Sequence, residues 1–142
     1  KCYRELEDKS RLIKRLKYIP EEDVPYYFFS ADSVVLPYKS SFKGTSGVLQ
    51  HAAATKRPVV AADVNEVGNS VREYGLGVLV EPENPEKLRS GILKILKKNR
   101  SAIEIDEFRE RATKYAESQH WKIFAEKVEE FYMDILQKSN EY

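Results

Sequence analysis

The sequence predicts an α/β fold in which helices flank a parallel β-sheet. Short segments rich in valine and leucine alternate with segments of helical periodicity, the order expected when helices connect parallel strands. The strand candidates are apolar on both faces, as strands buried between layers of helices are. The 142 residues contain no internal repeat, low-complexity stretch or linker, so we predict one domain over residues 1–142.

Four strands and six helices are predicted. The strands lie at 11–16, 33–36, 58–61 and 76–80, and the helices at 24–31, 45–55, 67–73, 85–99, 105–118 and 121–137. Residues 1–8 are predicted to be the tail of a preceding helix. The strand at 11–16 is weakly predicted because basic residues interrupt it.

Local patterns set several of these boundaries. Acidic residues at 21–23 suit the first turn of a helix, and Pro37 ends the strand at 33–36. Asn84 is a good N-cap with proline at the first helical position, and the helix that follows carries Leu88, Ile92 and Ile95 on one face. The four consecutive aromatic residues at 26–29 are interpreted as core rather than as a stacking surface.

The strand count is low for this class, since a doubly wound domain has about five or six strands. The chain also opens with a helix remnant instead of a strand. We therefore expect a first βαβ unit to be missing, which leaves an edge strand that invites homodimerisation.

Composition excludes several classes of function. Hydrophobic residues make up 42% and charged residues 33%, and the net charge of +1 argues against nucleic acid as a partner. Cys2 is the only cysteine, and His51 and His120 lack metal-ligand spacing, so we expect no disulfide and no metal site. No apolar run is long enough to span a membrane and no secretory signal opens the chain, so we expect a cytoplasmic protein, with peripheral association of the full-length enzyme with a membrane as the alternative.

The most informative segment runs from Lys43 to Leu49, with the sequence KGTSGVL, and an alanine-rich helix and an apolar strand follow it. A loop of small residues that opens a helix beside a strand end presents backbone N–H groups that lack internal partners, and the helix dipole favours anions there. This pattern indicates a phosphate-bearing ligand. The alternative is simple helix capping, which small polar residues at a helix start also provide.

Residues 18–80 resemble the C-terminal domain of retaining family 4 glycosyltransferases, which use nucleotide-sugar donors and have the GT-B fold. The resemblance rests on the order and spacing of segments that are individually common. They are YIPEEDVPYY at 18–27, SADSVVLP at 30–37, KGTSGVLQ at 43–50, RPVVAADV at 57–64, YGLGVLVEP at 74–82 and PEKL at 85–88; His120 and Trp121 open what resembles the final helix of that family. The resemblance implies a Rossmann-like sheet and a truncated donor-binding domain.

One departure from the family concerns two glutamates that many members carry eight positions apart, around the loop that binds the donor in that family. Those positions hold Lys43 and His51 here. A subgroup with a Ser-Gly-Val loop, similar to residues 46–48, also lacks the pair. Gln50 lies next to the second position, and a shift of one residue would give it the role of binding the donor ribose. His51 is either a helix residue packed near the loop or a catalytic group.

The resemblance also implies how the donor is bound. Gly44, Thr45, Ser46, Gly47 and Val48 would supply backbone amides to the diphosphate, and Lys43 either adds charge or is a solvated loop residue. Tyr18, with Lys17, sits where the family contacts the base or else packs in a turn, and Tyr38 is a candidate for lining the site. Residues 65–68 either cap a short helix or take part in ligand binding at a strand end.

The resulting hypothesis is transfer of a sugar from a nucleotide diphosphate donor to a glycan, lipid or small-molecule acceptor, without a metal. This chain would supply part of the donor site of a larger enzyme, and its missing N-terminal domain would be its partner. The isolated chain is expected to be inactive, and no catalytic residue is assigned. The alternatives are a non-catalytic module that binds a nucleotide or a partner protein, and a GT-B-fold nucleotide-sugar epimerase, for which the sequence offers no convincing acid and base.

Overall fold

The computed structural model describes residues 13–97 and 101–139. These residues form six helices and three strands. In chain order they are α1 (Val24–Phe29), β1 (Val34–Leu36), α2 (Gly47–Ala54), β2 (Val59–Ala62), α3 (Asn65–Tyr74), β3 (Gly77–Val80), α4 (Pro85–Lys97), α5 (Ala102–Ser118) and α6 (Trp121–Ser139). The predicted helix tail at 1–8, the start of the strand at 11–16 and the helix end near Asn99 lie outside the described residues.

The three strands form one parallel sheet in the order β1-β2-β3. In this register Val34 pairs with Val59, and Val59 pairs with Gly77. All four residues of β2 are at most 1% exposed, because this central strand has a strand on each side and helices on both faces. The predicted fold class is confirmed.

Two apolar clusters cover the two faces of the sheet. Val59 and Ala61 of β2 belong to the larger cluster, which also holds residues of α2, α3 and α5. Val60 points the other way and packs with Val80 of β3 and Ile95 of α4. The alternation from Val59 to Ala61 thus divides side chains of β2 between two helical layers, and Ala62 at the strand end belongs to the larger cluster as well.

Three helix boundaries illustrate local determinants. The Asn84 side chain accepts the N–H of Lys87 at 3.1 Å, and Pro85 is the first residue of α4, as predicted. Ser101 and Glu104 form a reciprocal capping box at the start of α5, which extends that helix three residues before its predicted start. Helix α3 begins at Asn65, two residues before its predicted start.

The predicted strand at 11–16 is wrong for its described part. Residues 13–16 form no strand, and Ile13 and Leu16 are 78% and 81% exposed. A strand forms only where another strand completes its backbone hydrogen bonds, and the sheet in the described part of the chain consists of β1, β2 and β3. The described part of the chain therefore has three strands instead of four, with β1 at one edge.

The aromatic residues of α1 are also placed differently from the prediction. No residue of α1 is buried, and only Phe28 packs against the core. Tyr26, Tyr27 and Phe29 are exposed. A helix of six residues turns a single narrow stripe towards its neighbours, so a high density of aromatic residues does not bury them all.

Candidate functional site

The candidate site lies where the carboxyl ends of the parallel strands meet. Three loops converge at this edge: residues 37–46 between β1 and α2, 63–64 between β2 and α3, and 81–84 between β3 and α4. Open α/β sheets bind ligands at this edge because the loops and the starts of the following helices present polar groups there.

The start of α2 offers open hydrogen-bond donors. Ser46 is extended and buried, and its Oγ accepts the N–H of Leu49 at 3.1 Å, while its carbonyl accepts the N–H of Gln50. The N–H groups of Gly47 and Val48 have no acceptor among the described residues. Ser46 therefore caps the helix and still leaves two adjacent donors, so capping and anion binding are compatible at this helix start.

The space above these donors is open. A Cβ atom built on Gly47 would meet no atom within 4 Å, whereas one on Gly44 would touch the ring of Phe42 at 3.4 Å. Lys43, Gly44 and Thr45 are exposed, and Val48 is 41% exposed. A ligand can therefore approach the backbone of the helix start closely.

Tyr38 connects the end of β1 to this helix start. Its hydroxyl lies 2.9 Å from Ser46 Oγ, and its ring stacks on Phe42 with centroids 4.1 Å apart and an interplanar angle of 9°. Tyr38 therefore holds the capping serine rather than facing open solvent with its hydroxyl. The sequence indicates Tyr38 only as a candidate for lining the site, and its hydrogen bond to the helix cap is not apparent there.

Gln50 and His51 lie on different sides of α2. Gln50 and Thr45 line a cavity of about 480 Å³ beside the connection between α5 and α6. The ring of His51 instead lies 5.4 Å from that of Phe28 in α1. His51 is exposed, so it contacts α1 without being buried.

Tyr18 lies apart from the other predicted site residues in sequence and environment. It precedes α1 and is 83% exposed, and Lys17 beside it is also exposed. The alternative in which Tyr18 packs into a turn is not observed.

Several charged side chains at this edge form ion pairs or hydrogen bonds with neighbouring residues. Arg72 Nη2 lies 2.8 and 2.7 Å from the two carboxylate oxygens of Asp63. Glu83 accepts hydrogen bonds from Ser40, and these bonds lower the pKa of the Glu83 carboxyl, with a smaller contribution from Lys39. Lys43 remains as an exposed cation on the loop that precedes α2.

Asn65 does not cap α3, although residues 65–68 were expected to include a cap. It is the first helical residue, and Val64 precedes it as an N-cap without a side-chain hydrogen bond. The Asn65 amide donates to the carbonyl oxygen of Phe42 at 2.6 Å. Ser40 and Glu83 are not predicted from the sequence, because their contact joins loops that lie 43 positions apart. Asn65 belongs to the segment 65–68 that the sequence already offers for ligand binding, but its contact with Phe42 is not apparent there.

Two wider observations concern the described residues. Within 13–97 and 101–139 no three His, Cys, Asp or Glu side chains converge as a ligand set for a metal ion. In the same part of the chain no helix is both long enough and apolar enough to cross a bilayer.

Comparison with known proteins gives a family and two relatives. A family model described as glycosyl transferases group 1 matches residues 2–98. A D-inositol 3-phosphate glycosyltransferase of Corynebacterium urealyticum is 28% identical over 138 residues, which are 95% of this chain and 31% of that protein. The enzyme of the same name from Corynebacterium glutamicum is 25% identical over 142 residues, or 97% of this chain and 32% of that protein. The chain thus spans about a third of the length of these relatives.

Proposed function

The chain belongs to the glycosyl transferases group 1 family, and from this premise we propose that it supplies part of the donor site of a larger enzyme. That enzyme transfers a sugar from a nucleotide diphosphate sugar to a glycan, lipid or small-molecule acceptor. The observation that carries the proposal is the pair of unpaired N–H groups of Gly47 and Val48, at the carboxyl edge of a parallel sheet.

The proposed chemistry depends on stabilising the leaving group. As the bond to the donor sugar breaks, negative charge builds on the nucleotide diphosphate. In the proposed mechanism the two N–H groups and the dipole of α2 stabilise this charge, and Lys43, an exposed cation on the loop, adds to it. In this proposal no metal ion is needed, and the sugar is transferred with retention of configuration, as in the family that the sequence resembles.

The acceptor is proposed by chemical class only. The two relatives are named for D-inositol 3-phosphate, so this compound is the first small-molecule acceptor to test. Glycan and lipid acceptors are the next.

Nucleotide titration tests the donor site. The full-length protein is titrated with UDP, GDP and ADP while backbone amide shifts are followed. We expect one nucleotide to bind preferentially, with the largest shifts at residues 44–48. Shifts elsewhere, or the absence of binding by all three, would contradict the proposed donor site.

Gly47→Ala provides a sharper test of the same site. The new methyl group meets no protein atom, and alanine suits a helix better than glycine, so the fold is retained. The methyl group enters the space above the two N–H donors, and we expect about tenfold weaker nucleotide binding, the equivalent of one lost hydrogen bond. Ser90→Ala on α4 is the control, since that hydroxyl bonds only within its own helix. Equal affinity of Gly47→Ala and the wild type would contradict ligand binding at this helix start.

A non-catalytic binding module is the second candidate. Its support is the presence of Lys43 and His51 where many family members carry glutamates, together with the packing of His51 against Phe28. Tight nucleotide binding by the full-length protein without turnover of any nucleotide sugar would favour this candidate over the transferase.

A further inference from the structure

Two side chains from neighbouring loops form hydrogen bonds to the loop between β1 and α2, which we call the donor loop (residues 37–46). Asn65, after β2, donates its amide N–H to the carbonyl of Phe42 at 2.6 Å. Glu83, after β3, accepts from the backbone N–H of Ser40 at 3.2 Å and from its hydroxyl at 2.6 Å. The donor loop is therefore tied to the ends of both other strands.

Asn65 and Glu83 both have a backbone conformation that residues other than glycine seldom adopt. The φ angle is +37° at Asn65 and +56° at Glu83. Asparagine tolerates this left-handed region, but glutamate gains nothing locally from it. Such strain persists only where surrounding contacts enforce it. Lys56, just after α2, shares this conformation with a φ of +57°. Of the three residues, Asn65 and Glu83 form hydrogen bonds to the donor loop.

The side chain of Asn65 bonds to the donor loop and does not cap a helix. Asparagine is among the best N-caps, yet α3 begins without a side-chain cap while the Asn65 amide bonds to Phe42. Glu83, by comparison, immediately precedes Asn84, whose side chain caps α4. The contacts to the donor loop are thus made from the starts of two helices.

A continuous set of contacts leads from these two residues to the open donors of α2. Phe42, held by Asn65, stacks on Tyr38. The Tyr38 hydroxyl bonds to Ser46 Oγ, and the same Oγ accepts the N–H of Leu49. Ser40, held by Glu83, lies between Tyr38 and Phe42 in the chain. Movement of the donor loop would therefore alter the position of the Ser46 cap and of the N–H groups next to it.

We propose that Asn65 and Glu83 are positioning residues that hold the donor loop in the conformation in which the N–H groups of Gly47 and Val48 receive the donor diphosphate. The proposal rests on the proposed function, because it assumes that a diphosphate binds at α2. It assigns to two residues outside the loop a role in donor affinity, without contact between them and the reacting atoms.

The test uses Asn65→Gly, Glu83→Gly and the double variant in the full-length protein. Glycine adopts φ near +37° freely, so Asn65→Gly removes the contact while relieving the backbone. We expect each single change to weaken binding of the preferred nucleotide diphosphate about threefold to tenfold, the size of one hydrogen bond. The double variant should lose more than the product of the single effects, because either contact alone still restrains the loop.

A matched pair of serine variants separates positioning from general stability. Ser40→Ala and Ser90→Ala each remove one hydroxyl hydrogen bond from an exposed site. Only Ser40→Ala is expected to weaken nucleotide binding, and Ser40→Thr, which restores a hydroxyl, should recover it. Amide hydrogen exchange at residues 40–48 should accelerate in the Asn65 and Glu83 variants, while Tm changes little.

The outcomes distinguish this proposal from the one on which it depends. A wild type that binds none of UDP, GDP and ADP would overturn the proposed donor site and the positioning role together. A wild type that binds, with a double variant of equal affinity, would overturn the positioning role alone. Weakened binding with faster exchange at residues 40–48 and an unchanged Tm would support it.

Discussion

At the scale of single residues, the candidate site depends on what small and polar side chains leave open. Ser46 occupies one N–H of the α2 start, and Gly47 leaves the neighbouring donors uncovered. These properties follow from residue type, so the capped helix start with open N–H groups could be predicted from the sequence, while anion binding there stays a prediction. The contact of Ser40 with Glu83, by comparison, spans 43 positions, so local sequence patterns cannot predict it.

The Glu83 carboxylate leads to a prediction about pH. Hydrogen bonds from the Ser40 side chain and backbone lower its pKa below the ordinary value of 4.5, and Lys39 acts in the same direction. Because the folded pKa is lowered, the contact is fully present above pH 4.5 and is lost as the pH falls through the folded pKa. We expect the amide shift of Ser40 to titrate with a midpoint below 4.5.

Glu83→Gln is the control for this titration, since an amide does not ionise in that range. The Ser40 shift should then show no such midpoint. A midpoint at or above 4.5 in the wild type would contradict the hydrogen-bonded carboxylate.

At the scale of helices and strands, close approach of backbones determines how the sheet is assembled. A Cβ on Gly77 of β3 would collide with the backbone carbonyl of Val59 in β2. A Cβ on Gly91 of α4 would lie 2.7 Å from a methyl group of Val80 and 2.8 Å from one of Val60. Both glycines allow neighbouring elements to approach, but only the first contact is with backbone, which cannot turn away.

We therefore predict a graded cost for glycine-to-alanine changes. Gly77→Ala should lower the free energy of unfolding by more than about 3 kcal/mol because the sheet backbone must shift. Gly91→Ala should cost about 1 kcal/mol, since overpacking of the valine methyl groups is partly offset by the better helix propensity of alanine. Urea denaturation of the full-length protein measures both.

Gly47→Ala completes this series because its methyl group meets no neighbour. Its free energy of unfolding should equal or exceed that of the wild type. A larger loss for Gly91→Ala than for Gly77→Ala would show that the packing of α4 on the sheet is tighter than the strand pairing.

At the scale of the whole molecule, the chain is part of a transferase family whose matched relatives are about three times as long. Helices α2, α3 and α5 cover one face of the sheet, and α4 covers the other. The loops at the carboxyl edge thus rest on a packed core, while acceptor binding is proposed to involve other parts of the enzyme.

We predict that the isolated 142-residue chain transfers sugar at least about a hundredfold more slowly than the full-length protein, because catalysis requires donor and acceptor to be held together. Assay of both forms with a nucleotide sugar, and with D-inositol 3-phosphate as the first acceptor, measures this ratio. Comparable rates would contradict the division of the site between this chain and the rest of the enzyme.

Local patterns suffice to predict the buried central strand, the Asn84 cap and the small-residue start of α2, because each depends on residues close together in the chain, and the order of such segments along the chain predicts the fold class. Three features become visible only in the folded chain: residues 13–16 form no strand, most aromatic side chains of α1 are exposed, and Asn65 and Glu83 form hydrogen bonds to the donor loop. These features depend on which segment lies beside which. Hydrogen bonds and burial between distant segments follow from the packing of the whole sheet, and no local pattern specifies them.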